Sequence, residues 1–288
     1  MKRKVNPPAV ITEDCIGCER CVATCPSFVL EMFEAKSRVV RPEWCIGCGH
    51  CGAVCPTEAI HFAGMPFDGH PKKGEVPAIS PELLNLLFRE GRSIRVYARD
   101  PVPEETLAGI LDAGRYASTG TNSQNVHYVV LTSPDRIAEL HKMTVSFYEK
   151  AFSRARGWLG HIVLSLMAGR KTAEYLRESL PKIDYAAEQM KQGKDRLFYH
   201  APVVILAHAE SWDSSSAFNC SVALYHCSLM AHTLGLGCCF NGFQAGRRET
   251  TMIEKGSTYV WDSAIVLGAF SLGINPHSLG PGGTRDRL

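Results

Sequence analysis

Cys15-Ile16-Gly17-Cys18-Glu19-Arg20-Cys21-Val22-Ala23-Thr24-Cys25-Pro26 returns thirty residues later as Cys45-Ile46-Gly47-Cys48-Gly49-His50-Cys51-Gly52-Ala53-Val54-Cys55-Pro56. All four cysteines, the closing proline and the Ile-Gly pair keep their places, so the segment is an internal duplication. These runs hold eight of the twelve cysteines in the 288-residue chain. The N-terminus, Met1-Lys2-Arg3-Lys4, is basic, but Asn6-Pro7-Pro8 follows it where a secretory signal needs an apolar stretch. The expectation is therefore an intracellular, reducing setting, in which clustered thiols are metal ligands rather than a disulfide framework.

The spacing C-x2-C-x2-C-x3-C-P is the bacterial ligand run for [4Fe–4S] clusters, in which the fourth cysteine serves the other cluster. Three thiolates two residues apart wrap one face of a cubane, and the small glycines let backbone amides approach sulfide. The expected ligand sets are Cys15, Cys18 and Cys21 with Cys55, and Cys45, Cys48 and Cys51 with Cys25. The competing assignment is a pair of four-thiolate zinc sites, but these pair two-cysteine knuckles across a longer gap. His50 lies inside the second run, where every ligand position is already a cysteine, and is read as a surface residue or an outer neighbour of the cluster. Residues 10–63 resemble a two-cluster bacterial ferredoxin, a carrier of single electrons without substrate chemistry of its own.

Beyond the duplication the composition changes. Residues 63–80 are rich in Gly and Pro without periodicity and read as a linker between a domain at 1–62 and a larger one at 81–288. Ser80 and Pro81 open a helix striped with Leu83, Leu84, Leu87 and Phe88 and ended by Gly91. A second helix begins near Pro103, with Glu104 and Glu105 in its first turn and Leu107, Ile110 and Leu111 facing inward. Strands are expected at 127–132, 202–208 and 263–270. Between Asn219 and Leu234, apolar positions 220, 223, 224, 227, 230, 231 and 234 trace a helix face that Gly235 terminates. Cys220 and Cys227 lie on that face with Leu224 and Met230 and read as core. Residues 145–194 are helical in composition, crowded with Lys, Arg, Glu and Tyr, and read as a lid. Strands interspersed with helices predict an α+β or α/β sheet with helical cover.

Several classes of function are excluded. A net charge of +2 offers no basic surface for nucleic acid or acidic membranes. The longest apolar stretch, 157–169, is too short to span a bilayer and contains His161. Together these give a soluble, cytoplasmic expectation. No Gly-x-Gly-x-x-Gly, Walker loop, His-Glu-x-x-His or Gly-x-Ser-x-Gly is present, since Phe240 stands where a third glycine would follow Gly235 and Gly237. His200, His208, His226 and His232 have no ligand spacing.

Three segments in order carry a resemblance to the nitroreductase family of FMN flavoproteins: Arg92-Ser93-Ile94-Arg95, Ser118-Thr119-Gly120-Thr121-Asn122-Ser123-Gln124, and Gly235-Leu236-Gly237-Cys238-Cys239-Phe240-Asn241-Gly242-Phe243. The resemblance covers about 81–288 and implies an α+β sandwich. Arg92, Ser93 and Arg95 supply guanidinium forks and a hydroxyl suited to a phosphate. Asn122, Gln124 and Asn241 supply amides suited to an isoalloxazine edge, and Thr119, Gly120 and Gly242 let backbone come close to it. Gly91 stands where the family often has a first arginine, and Arg285 is the expected replacement. Asn125-Val126 stands for a frequent Pro-Trp, and Asn241 for a frequent acidic residue. Cys238-Cys239 falls in the flavin loop by this resemblance.

The whole chain then reads as an oxidoreductase with two [4Fe–4S] clusters and FMN. Electrons pass from the clusters through the flavin to an electron-poor acceptor such as a nitroaromatic, a quinone or a conjugated compound. Alternatives are a docking protein without substrate chemistry, or reverse flow out through the clusters. The resemblance implies a homodimer with FMN at the interface, its core suited to the 219–234 helix, and a redox partner such as ferredoxin or NAD(P)H.

Overall fold

The computed structural model describes residues 6–63, 78–155, 157–210, 212–241 and 264–274. Most of the expected linker, together with Gly242, Phe243 and Arg285, lies outside them. The chain divides into two compact units: Met1–Ser80 with Thr119–Gln124, and Pro81–Ser118 with Asn125–Leu288.

The first unit contains β1 (Pro8–Val10), α1 (Arg20–Thr24), β2 (Leu30–Phe33), β3 (Lys36–Val39), α2 (His50–Ala53) and β4 (Ile60–Phe62). β1 pairs antiparallel with β4, and β2 with β3. The duplication is visible in the backbone itself. Left-handed φ occurs at Gly17 and Gly47, at Glu19 and Gly49, and at Phe28 and Glu58, each pair thirty residues apart. The two runs therefore follow equivalent chain paths, even where one position of a pair is not a glycine. Leu30 and Ile60, also equivalent, are buried with Val29, Phe62, Cys21 and Cys51 in a small core.

The second unit is built on a four-stranded antiparallel sheet of order β5-β6-β8-β7, from β5 (His127–Leu131), β6 (Val203–Glu210), β7 (Leu236–Asn241) and β8 (Ala264–Ile274). Val203–Ala207 of β6 reads as an unbroken apolar run because both of its faces are covered. Val203, Ile205, Ala207 and Ala209 pack with α4 (Glu104–Arg115) and α8 (Ser216–Thr233), while Val204 and Leu206 pack with α5 (Pro134–Ala155), Leu197 and Phe198. The α+β expectation is met. Leu107 and Ile110 are buried as their spacing requires, and Leu111 packs partly against the same core. Gly114 of α4 is a packing glycine, since a Cβ there would lie 2.6 Å from Cys227 Sγ and closer still to Tyr128 Oη. Gly114→Val should lower stability by about 1–3 kcal/mol through overpacking, read as a lower urea midpoint than wild type.

Two readings of apolar faces need correction. Cys220, Ala223, Leu224, Cys227 and Ala231 are buried as expected, but Met230 and Leu234 are exposed. The buried face of α8 packs on α4 and the sheet, and it slides off them in the last turn. That face is therefore engaged inside the chain rather than held for a partner, and Phe218, Tyr225 and Met230 form the outward one. Burial pushes the thiol of Cys220 up to about 12 and that of Cys227 up to about 11, as inert core residues require. The first helix, α3 (Pro81–Glu90), forms as expected but buries no residue, leaving Leu83, Leu84, Leu86 and Phe88 exposed.

The expected lid is helical. α5 is followed by α6 (Trp158–Ala168) and α7 (Arg170–Lys191), which ends near Gly193. Asp195 then knots the chain, accepting from the backbone N–H of Leu197, Phe198 and His200 at 2.8–2.9 Å, with His141 Nε2 3.3 Å away. Burial opposes its charge, but those donors together hold the carboxyl well below the usual range. No helix among the described residues is long and apolar enough to cross a membrane.

Candidate functional site

Each cysteine set read from the spacing lines its own cavity in the first unit. One is lined by Cys15, Cys18, Cys21 and Cys55, the other by Cys25, Cys45, Cys48 and Cys51. The crossing of the fourth thiol follows from the fold. Cys25 and Cys55 open the turns that lead into β2 and β4, beyond the short helices α1 and α2 of their own runs. Backbone N–H groups aim at the sulfurs in repeated fashion. Val29 donates to Cys25 Sγ at 3.4 Å and Ala59 to Cys55 Sγ at 3.2 Å. Gly47 donates to Cys45 Sγ at 3.4 Å and Ser37 to Cys15 Sγ at 3.5 Å.

These contacts fit an iron–sulfur cubane. N–H···S bonds stabilise thiolate and cluster charge. They already act on Cys15, whose thiol is lowered by the backbone N–H groups of Ser37 and Gly17. Burial instead pushes the Cys51 thiol up to about 12. Thiolates sharing one tetrahedral zinc sit only about 3.8 Å apart, from bonds of about 2.3 Å. Among the described residues no three His, Cys, Asp or Glu side chains are placed to hold a single metal ion. His50 is exposed at the start of α2.

In the second unit the structure joins the first and third family-like segments. Ile94 N–H donates to Cys238 C=O at 2.9 Å, and Ser93 forms a parallel bridge with Cys238. Gly237 permits this approach, because a Cβ there would lie 2.8 Å from Ile94. Arg92, Ser93 and Arg95 are exposed. Arg92 Nη1 donates to the carbonyls of Arg89 and Gly91, while the Arg95 guanidinium lies 5.7 Å from the Tyr199 ring centre. Arg95, Tyr97, Arg99, Lys142, Tyr199 and His200 line one broad cleft, whose cationic groups suit an anion. Arg99, Lys142 and His200 carry no motif, and only folding makes them line the same cleft as Arg95. Asn241 is buried at the end of β7. Cys238 and Cys239 are free, and burial pushes Cys238 up to about 11, which leaves it a thiol at neutral pH.

The second family-like segment belongs to the first unit. Thr119 Oγ1 accepts from Gln124 N–H at 3.0 Å, and Gly120 C=O accepts from Ser123 N–H at 3.0 Å. Asn122 donates from Nδ2 to the carbonyls of Ile46 and Gly47, each at 2.9 Å. The residues expected to hold one flavin are thus divided, with Thr119, Gly120, Asn122 and Gln124 in one unit and Arg92, Ser93, Arg95 and Asn241 in the other.

Comparison with known proteins identifies two family segments, and the second of them includes Thr119–Gln124. A model of the nitroreductase family matches residues 89–255, and one of a 4Fe-4S dicluster domain matches residues 14–59. No curated protein matches. Among solved structures, a Bacteroides fragilis nitroreductase with bound FMN is 20% identical, covering 68% of this chain and 89% of its own, at a TM-score of 0.47. An FMN-dependent nitroreductase from Clostridium difficile is 17% identical, with coverage of 71% and 95% and a TM-score of 0.46. A nitroreductase with bound FMN from Desulfitobacterium hafniense is also 17% identical, with coverage of 71% and 94% and a TM-score of 0.45. The chain belongs to the nitroreductase family, as an oxidoreductase that carries a 4Fe-4S dicluster domain ahead of its family domain.

Proposed function

We propose that this oxidoreductase takes electrons through two [4Fe–4S] clusters and delivers them through FMN to an electron-poor small molecule, such as a nitroaromatic, a quinone or a conjugated compound. The observation that carries the reading is the pair of cavities, each lined by four cysteines drawn from both runs. Cys15, Cys18, Cys21 and Cys55 would hold one cluster, and Cys45, Cys48, Cys51 and Cys25 the other. FMN, when bound, supplies the exchange between one-electron and two-electron chemistry.

This chain's own residues would orient and neutralise. Arg92, Ser93 and Arg95 would bind the FMN phosphate, and the placement of Arg95 is supported by the cleft that it lines with Arg99 and Lys142. Arg285 would add to them. Around the ring, Gln124, Asn241 and the backbone of Thr119, Gly120 and Gly242 would fix orientation. The Asn122 carboxamide, suited to the same edge by resemblance, is engaged at Ile46 and Gly47. A homodimer with FMN at its interface, a cytoplasmic setting, and ferredoxin ahead of NAD(P)H as donor complete the reading.

The test is an oxygen-free preparation with iron, sulfide and flavin quantified together. About eight irons and eight sulfides per chain are expected for two cubanes, with one FMN. Stoichiometric zinc without charge-transfer absorption would overturn the cluster assignment. Arg95→Ala should leave the clusters intact and weaken FMN binding roughly tenfold to a hundredfold, the equivalent of one charged hydrogen bond at about 1.5–3 kcal/mol. Retention of FMN at wild-type affinity would move the phosphate site elsewhere.

A further inference from the structure

We propose that Asn122 is a positioning residue for the second iron–sulfur cluster, raising its reduction potential through the Ile46–Gly47 peptide. The inference rests on the reading that Cys45, Cys48, Cys51 and Cys25 hold a cluster. Asn122 lies outside the dicluster match at 14–59 and inside the family match at 89–255. Even so, its carboxamide crosses seventy-six positions of sequence to donate to Ile46 C=O at 2.9 Å, and to Gly47 C=O at the same distance. The Ile46–Gly47 peptide is thereby held at both ends. Its carbonyl accepts from Asn122, and its N–H donates to Cys45 Sγ at 3.4 Å. A hydrogen bond accepted at a carbonyl polarises the amide and strengthens the bond that its N–H donates. That N–H···S bond stabilises the added negative charge of a reduced cluster and so raises its potential.

The loop is shaped for the task. Thr121 and Asn122 both adopt left-handed φ, at +50° and +53°. Asn122 N–H donates to Thr119 C=O at 3.0 Å, and Asn122 Oδ1 accepts from Gln124 Nε2 at 3.3 Å, which orients the amide with its nitrogen toward the cluster loop. The first run is held differently. Lys36 Nζ donates to Cys15 C=O, and Ser37 N–H donates to Cys15 Sγ. Among the described residues no side chain donates to the Ile16 or Gly17 carbonyl. The two otherwise repeated binding loops therefore differ in this support, and the potentials of their clusters should respond separately.

The experiment is a potentiometric titration of the full anaerobic chain followed by electron paramagnetic resonance, with the clusters assigned by the contact-shifted β-proton resonances of Cys45 and Cys15. Asn122→Gly removes the carboxamide and tolerates the left-handed backbone. At wild-type iron content it should move the Cys45 cluster to a more negative midpoint and leave the Cys15 cluster in place. The expected change is up to about tenfold in the oxidised-to-reduced ratio at fixed potential, or about 59 mV. Asn122→Asp keeps the size, replaces the donor by an acceptor and adds negative charge, so it should move the same midpoint further. Selective loss of about four irons in either variant is the stronger form of the same result. Two unmoved midpoints in a fully loaded Asn122→Gly chain, or equal shifts of both, would overturn the inference while leaving the cluster reading intact. A wild-type chain without iron and sulfide would overturn both.

Discussion

Cys25→Ala should remove one cluster from this protein, and the one removed should be the cluster whose other ligands lie twenty or more residues downstream. Cys25 lines the cavity of Cys45, Cys48 and Cys51, while its sequence neighbours Cys15, Cys18 and Cys21 line the other with Cys55. Iron and acid-labile sulfide should each fall from about eight to about four per chain, half the content of two cubanes. The Cys45 β-proton resonances should lose their contact shifts while those of Cys15 keep them. Cys55→Ala should give the mirror result. Loss of the Cys15 cluster in Cys25→Ala would show that each run closes on itself, and the crossed assignment would fall.

The second large effect concerns the route of electrons. A chain carrying Cys18→Ala and Cys48→Ala lacks one ligand in each cavity and should lose both clusters while keeping the core of the second unit, to which these residues do not contribute. It should still bind FMN and still be reduced by dithionite. Turnover driven by reduced ferredoxin at about 10 μM should fall roughly a hundredfold, because a fused carrier acts at an effective concentration of millimolar order. The measurement is steady-state reduction of one acceptor with each donor in both proteins. Equal ferredoxin-driven rates would falsify the wiring. Unchanged NAD(P)H-driven turnover alongside ferredoxin reduction by the wild type would instead indicate electrons leaving through the clusters.

The duplicated cysteine runs were legible because ligand spacing is a local property. Once a run must wrap a cubane, its turns follow, and the left-handed positions at 17 and 47, 19 and 49, and 28 and 58 repeat with it. The Val203–Ala207 stretch of β6 was equally legible, since a run covered on both faces is apolar at every position. The burial of Leu107, Ile110, Cys220 and Cys227 follows from helical period alone.

What the sequence could not specify depends on partners distant along the chain. Helical spacing placed Met230 and Leu234 on the core face of α8, but where that face leaves its cover depends on α4 and the sheet. Nothing local orders β8 between β6 and β7, because that position comes from pairing across the intervening α8. Arg99 and Lys142 acquire meaning only when folding makes them line one cleft with Arg95. Asn122 shows the division most sharply. Its residue type and its place in a Ser/Thr/Gly loop suit a flavin amide, yet its donor is taken by two carbonyls of the second cysteine run. Spacing within a run is set by bond lengths and turn geometry. The choice of partner for a side chain seventy-six residues away is set by loop closure and by which buried carbonyl needs a donor, and only the folded chain decides that.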